Sequence, residues 1–178
     1  FGHIVTRMRK NRKVVVGHWQ DEKAQAKIAV WMRVSAGWAD AQDMRIIRFG
    51  DQMNNVAVTD GDKVEAEMRL GYHVDYYPIA NLVALLNEVT DAEVAELVAT
   101  YEKEYVIADE QKKNEHFNHQ VKEAAKAEIA LRRFLVAKGA KAFTTNFDDL
   151  AGIDQLPGLA CQRLMAEGYG FGAEGDWK

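Results

Sequence analysis

MRIIRFGDQMNNVAVTDGDKVEAEMRLG, residues 44–71, carries a strand signal, a polar loop and a helix signal in that order, and this order sets the fold class. Ile46, Ile47 and Phe49 make a short apolar, β-branched run closed by Gly50, the pattern of a strand buried in a parallel sheet. Asp51, Gln52 and Asn54 follow at what would be its carboxyl end. Open α/β sheets bind ligands outside that edge, so these polar residues stand where chemistry is expected. Thr59, with Asp62 three residues on, resembles a capping box, in which a side-chain oxygen takes an orphan amide and an acid favours the positive helix end. Gly71 reads as the C′ residue that stops this helix.

Working outward, the strand-then-loop pattern recurs. Residues 14–16, three valines closed by Gly17, read as a buried strand with His18, Trp19 and Gln20 at its carboxyl end. Residues 73–77 have strand propensity and stop at Pro78; residues 141–145 read as a further strand that leaves Asn146, Phe147 and Asp148 at its carboxyl end. Helices lie between them. Asp21 opens one with the stripe Ala24, Ile28, Trp31, Ser35, fraying near Gly37 and Trp38. Thr90 and Glu93 form a second capping box before a helix with Val94, Leu97, Val98, Tyr101 and Tyr105 on one face. Residues 109–138 read as one long helix ended by Gly139, and residues 159–167 as a short one entered through Pro157 and Gly158. Strand, helix and strand in alternation predict an α/β fold with parallel sheets flanked by helices and right-handed crossovers.

Composition bounds the partners. Of 178 residues, 48% are hydrophobic and 28% charged, which is the make-up of a globular chain with a real core. Basic residues number 23 against 27 acidic, a formal charge of −4, so no global field draws the chain to nucleic acid or to a membrane surface. No apolar run approaches the roughly 20 residues of a membrane span. The lone Cys161, among Leu159, Ala160 and Leu164, excludes an internal disulfide and reads as a small buried hydrophobe that fits a reducing cytoplasm. Phe1 opens without Met or signal pattern, and Lys178 follows a glycine-rich motif directly, so both ends are expected to be internal to a longer chain.

Several motifs point to chemistry and are weighed against plainer origins. RMRKNRK, residues 7–13, suggests a phosphate patch, but no aromatic platform interleaves it and a solvated helix end explains it as well. Glu115, His116, His119 and Glu123 share one helix surface and could bind a transition metal, although the HExxH order is absent and polar, Lys-rich faces are usually just solvated. His73 has only Asp75 nearby at ligand spacing. GYGFGAEGDWK, residues 168–178, places Gly170, Gly172 and Gly175 in G-x-G-x-x-G spacing. A dinucleotide site needs a strand before it and a helix after, whereas here a helix precedes, so a turn allowing close backbone approach is the better reading. Glu174, framed by these glycines with Asp176 beside it, is either exposed decoration or a ligand.

RFGDQMNNVAVTDGDKVEAEM, residues 48–68, and QLPGLACQRLMAEGYGFGAEGDWK, residues 155–178, are similar to blocks of the bacterial L-arabinose isomerases, and the resemblance runs the whole chain. It implies a three-layer αβα fold, with residues 1–44 ending an N-terminal α/β domain and residues 45–178 forming a central domain truncated at its C-terminal end. It implies that Glu174 is the first active-site glutamate, catalytic and a metal ligand, and that Met53 and Phe147 line the substrate pocket. The second glutamate, two metal-binding histidines and an HGG-type segment would fall outside this chain. From the residues alone, Met53 and Phe147 are ordinary core types. The implied activity is conversion of L-arabinose to L-ribulose, with D-galactose to D-tagatose as a second reaction. The implied cofactor is a divalent metal, manganese, and the implied protein is a cytoplasmic homo-oligomer with active sites at subunit contacts, acting on a small sugar. An L-fucose-type isomerase and a non-catalytic sugar-binding module are the alternatives.

Overall fold

A computed structural model describes residues 2–178, which divide into two compact units, one ending at Gln42 and one running from Asp43 to Lys178. The first unit holds α1 (Gly2–Arg7) and α2 (Glu22–Ala41). Asp21 caps α2 by accepting a hydrogen bond from the Lys23 amide at 3.0 Å. The helix runs on past Gly37 and Trp38 to Ala41 rather than fraying there. Residues 14–16 are not a strand: Val14 and Val16 are 67% and 87% exposed. β propensity is largely the benefit of packing on neighbouring strands, and none of the described residues pairs with this tripeptide. Of the expected α2 stripe only Ala24 is buried; Ile28 and Trp31 stay exposed.

The second unit is built around β1 (Arg45–Phe49). A polar loop and a single 3-10 turn (Ala57–Thr59) lead to α3 (Lys63–Leu70) and β2 (His73–Tyr77). Then come α4 (Ile79–Glu88), α5 (Asp91–Glu104), α6 (Asp109–Lys112), α7 (Glu115–Lys138), β3 (Ala142–Thr145), α8 (Gly158–Ala166) and β4 (Gly170–Gly172). The sheet order is β2-β1-β3-β4 and every pairing is parallel. Ile47, Phe49 and Phe143 enter a core with Leu82 of α4, Leu131, Phe134 and Leu135 of α7, and Leu164 of α8. Side chains alternate along a strand, so Arg48 and Thr144, paired in register, point to the opposite face, where right-handed crossovers put α3. A parallel sheet flanked by helices in three layers is the result.

Three expectations change in detail. Asp62, not Thr59, caps α3, its carboxylate accepting from the Glu65 amide at 2.8 Å, while the Thr59 hydroxyl donates to Val56 O and closes the 3-10 turn. The long helix breaks at Asn114, whose side chain takes the Phe117 amide at 3.1 Å; an Asn oxygen competing for backbone amides starts a fresh helix. Residues 170–172, read as a turn, are the edge strand β4. Gly170 permits this, since an added Cβ would stand 2.9 Å from Ala142 Cβ. The Thr90–Glu93 capping box and the left-handed stops at Gly71 and Gly139 form as read.

A buried polar knot locks the helical layer. Glu128 of α7, 1% exposed, accepts from Tyr101 Oη at 2.7 Å, Arg163 Nε at 2.8 Å and Arg132 Nη2 at 3.0 Å, tying α5, α7 and α8 together. Burial, then the bond to Glu128, pushes the Tyr101 hydroxyl far above its ordinary pKa, so it remains a donor at any physiological pH. Removing one member of a buried charge pair strands the others at a cost of about 3–5 kcal/mol, so Glu128→Ala should lose stability of that order in urea unfolding. A loss below about 1 kcal/mol, the worth of an exposed pair, would show that the knot carries no such load.

Candidate active site

In the order β2-β1-β3-β4 the chain leaves β1 to one side and returns to β3 on the other, which makes the β1/β3 carboxyl edge a topological switch point, the place where open α/β sheets hold ligands. Two loops open there, one after β1 and one after β3. Asn146, 1% exposed, sits between them: its Nδ2 donates to the Asp51 carbonyl, and its Oδ1 accepts from the Asp149 amide at 2.6 Å. The Asn54 amide donates to Asp148 Oδ2 at 3.1 Å, a second tie between the loops. Gly50 has φ +75 and an added Cβ would lie 2.7 Å from Asp149 Oδ2, so both backbone and space demand glycine.

A third segment joins them from β4. The Gly175 amide donates to Thr145 O at 2.8 Å, and an added Cβ at Gly175 would meet Asp51 O at 3.3 Å and Arg48 Nη2 at 3.7 Å. Glu174 stands beside it with φ +65, a left-handed conformation that costs an ordinary residue roughly 1–2 kcal/mol. Strain of this kind persists only where surrounding structure imposes it. Met53 lies half-buried in the loop after β1, and Phe147, 49% exposed, in the loop after β3. The structure thus gathers at one edge the three loops that bear Met53, Phe147 and Glu174.

Arg48 escaped the sequence reading. It is 2% exposed, its Nε and Nη2 make no hydrogen bond, and the nearest acid is Asp51 with Oδ1 at 3.6 Å from Nη2. Its row-mate Thr144 has an equally unpartnered hydroxyl, and Trp177 an unpartnered indole N–H. Among the described residues, all the buried side-chain polar atoms without partners belong to these three. Buried donors are normally satisfied, so Arg48 and Thr144, side by side on β1 and β3, mark the place as special, whereas Trp177 lies against Gly61 and Tyr72. The available signal was a lone cation inside the run Ile46, Ile47, Arg48, Phe49.

Other candidates are placed elsewhere. His18 is exposed, its Nδ1 accepting from the Gln20 amide at 3.3 Å. His73, at the opening of β2, lies between Asp43 at 3.5 Å and Glu67 at 3.3 Å. Of the four polar residues expected to share a face of α7, His119 and Glu123 come together with Asp154, their ligand atoms within 4.8 Å of one another, as a possible metal-binding triad. Glu174 offers an oxygen donor suited to a hard divalent ion, yet it belongs to no comparable group of three among the described residues. Within this chain it is a single carboxylate, with no holding shell among the described residues.

Sheet order and the loops gathered at the switch point define an open parallel α/β protein whose candidate site is that carboxyl edge. The family model described as the L-arabinose isomerase central domain matches residues 45–178, and that of the L-arabinose isomerase N-terminal domain matches residues 1–43. The chain belongs to the L-arabinose isomerase family. It is 66% identical to the L-arabinose isomerase of Phocaeicola vulgatus, 65% to that of Bacteroides thetaiotaomicron and 52% to that of Herpetosiphon aurantiacus, in each case over 100% of this chain and 36% of the relative. The chain therefore spans about a third of the length of these curated relatives.

Asn146 ties the loop after β1 to the loop after β3 and packs beside Gly175, so Asn146→Ala should cost about 1–3 kcal/mol, the penalty for stranding hydrogen-bond partners. Hydrogen exchange at the Asn54 and Gly175 amides should accelerate more than exchange in α7. Unchanged protection at both amides would remove Asn146 from this role.

Proposed function

We propose that this chain is part of an aldose–ketose isomerase that interconverts L-arabinose and L-ribulose, with D-galactose and D-tagatose as a second pair. In this reading residues 1–44 close an N-terminal domain, and residues 45–178 make most of a central domain truncated at its C-terminal end. The observation that carries the proposal is the convergence of the Met53, Phe147 and Glu174 loops at the switch point, in a chain 66% identical to an L-arabinose isomerase.

Isomerisation moves a proton between adjacent sugar carbons through an ene-diol, and needs a base at carbon and an acid at oxygen. Glu174 supplies one carboxylate for this exchange, presented on a turn whose left-handed backbone and Gly175 anchor hold it in place. Met53 and Phe147 supply apolar surface for the sugar's C–H faces and so orient it. A divalent cation, manganese in this reading, would be held in part by Glu174 and would supply charge stabilisation for the sugar oxygens. Family resemblance also supports a cytoplasmic homo-oligomer with active sites at subunit contacts.

The test is a chimera in which this chain replaces the matching segment of the Phocaeicola vulgatus enzyme. It should turn over L-arabinose. Acid–base catalysis contributes about 10²- to 10⁴-fold, so Glu174→Gln in the chimera should fall below roughly a tenth of its parent while keeping the fold. Phe147→Leu should change the ratio of kcat/KM for L-arabinose and D-galactose; an equal loss for both sugars contradicts the pocket assignment. The 178-residue chain by itself should show no turnover, since it holds one carboxylate of the site.

A further inference from the structure

We propose that His119, Glu123 and Asp154 form a binding site for a divalent transition cation of the zinc class, independent of Glu174 and of the isomerase reading. His119 and Glu123 are four residues apart on α7 and so stack on one helix surface. Asp154 comes from the loop between β3 and α8, 31 residues along the chain from Glu123, and its place is set by three ties. Gln155 Nε2 donates to Gln120 O at 2.9 Å, which fastens the loop to α7 between the two helical ligands. Ile153 packs against the core, and Gly152, with φ +91, presses on Val83, where an added Cβ would lie 3.1 Å from the valine methyls.

The spacing suits a small ion. Ligand atoms at about 2.1 Å from a tetrahedral zinc stand about 3.4 Å apart, and the present limit of 4.8 Å is within a rotamer adjustment of that for side chains of which two are exposed. An open cavity of about 360 Å³, lined also by Asn87 and Gln155, leaves room for a water as fourth ligand. One imidazole with two carboxylates favours zinc, copper or nickel over magnesium and calcium, which prefer oxygen alone, and over manganese by the usual affinity order.

A cation already occupies part of this ground. Lys126 Nζ lies 2.7 Å from Glu123 Oε1. The ammonium stands for the cation that the cluster attracts, and a metal ion must displace it toward solvent. Lys126 is thus a competitor, and removing it separates a metal site from a simple ion-pair cluster. Bound metal would clasp the 150–155 loop to α7.

The experiment is calorimetry and cobalt absorption spectroscopy on the tag-free 178-residue chain, with ZnCl2 and CoCl2 in a non-coordinating buffer. Zinc should saturate at one ion per chain, raise the unfolding temperature by mass action, and cobalt should give the visible bands of an imidazole-bound ion. His119→Ala and Asp154→Asn should each weaken zinc by about tenfold or more, no less than the loss of a group that merely orients a ligand. Lys126→Met should tighten it several-fold. No binding at about 1 mM metal, affinity indifferent to both ligand variants, or weaker binding by Lys126→Met would each overturn the proposal. Glu174→Gln should leave zinc binding unchanged, so failure here and failure of the isomerase reading remain separate results.

Discussion

Everything in the second unit follows from β1 being paired on both edges, with β2 on one side and β3 on the other. A parallel strand cannot be followed by its neighbour through a tight turn, so each pairing forces a crossover of a dozen residues or more. The crossover to β2 runs through α3; the one to β3 runs through α4, α5, α6 and α7. Because the first runs from β1 to β2 on one side and the second returns from β2 past β1 to β3 on the other, the carboxyl edge between β1 and β3 is left uncovered by either connection. The candidate site is thus a consequence of strand order before it is a matter of particular side chains.

Among the described residues two charged side chains are buried, and they are treated in opposite ways. Glu128 meets three donors and fastens three helices. Arg48 is buried almost as deeply and keeps two guanidinium nitrogens without a hydrogen bond, Asp51 standing 3.6 Å from one of them. Burying an unsatisfied charge is expensive, so a satisfied one reads as part of the scaffold and an unsatisfied one as held for some other purpose. Arg48 sits directly below the turn that carries Glu174 and Gly175. The same turn holds Glu174 in left-handed backbone, so two separate departures from comfortable structure coincide at one place.

Two metal questions are separated by the fold. Glu174 is a single carboxylate at the switch point, whereas His119, Glu123 and Asp154 converge on the helical layer with a lysine in attendance. The former stands alone among the described residues, whereas the latter brings three candidate ligands together within the chain.

Local patterns settled much of this protein without help from tertiary structure. Ile46, Ile47 and Phe49 announce the central strand, Thr90 and Glu93 their capping box, Gly71 and Gly139 their helix stops, because each depends on interactions within a few residues. The blocks at residues 48–68 and 155–178 likewise carried the family. Only the folded chain decided the rest. Residues 14–16 have strand propensity but no strand partner among the described residues, and residues 170–172, bounded by two glycines that are poor strand formers, become β4 because Gly170, lacking a Cβ, can lie close against Ala142. The sequence marked His119 and Glu123 as neighbours on a helix, but Asp154 reaches them through a loop closed by contacts with Val83 and Gln120. Propensity and capping are local and can be read in order along a chain, whereas pairing, burial and the meeting of distant side chains depend on which surfaces the finished packing brings together.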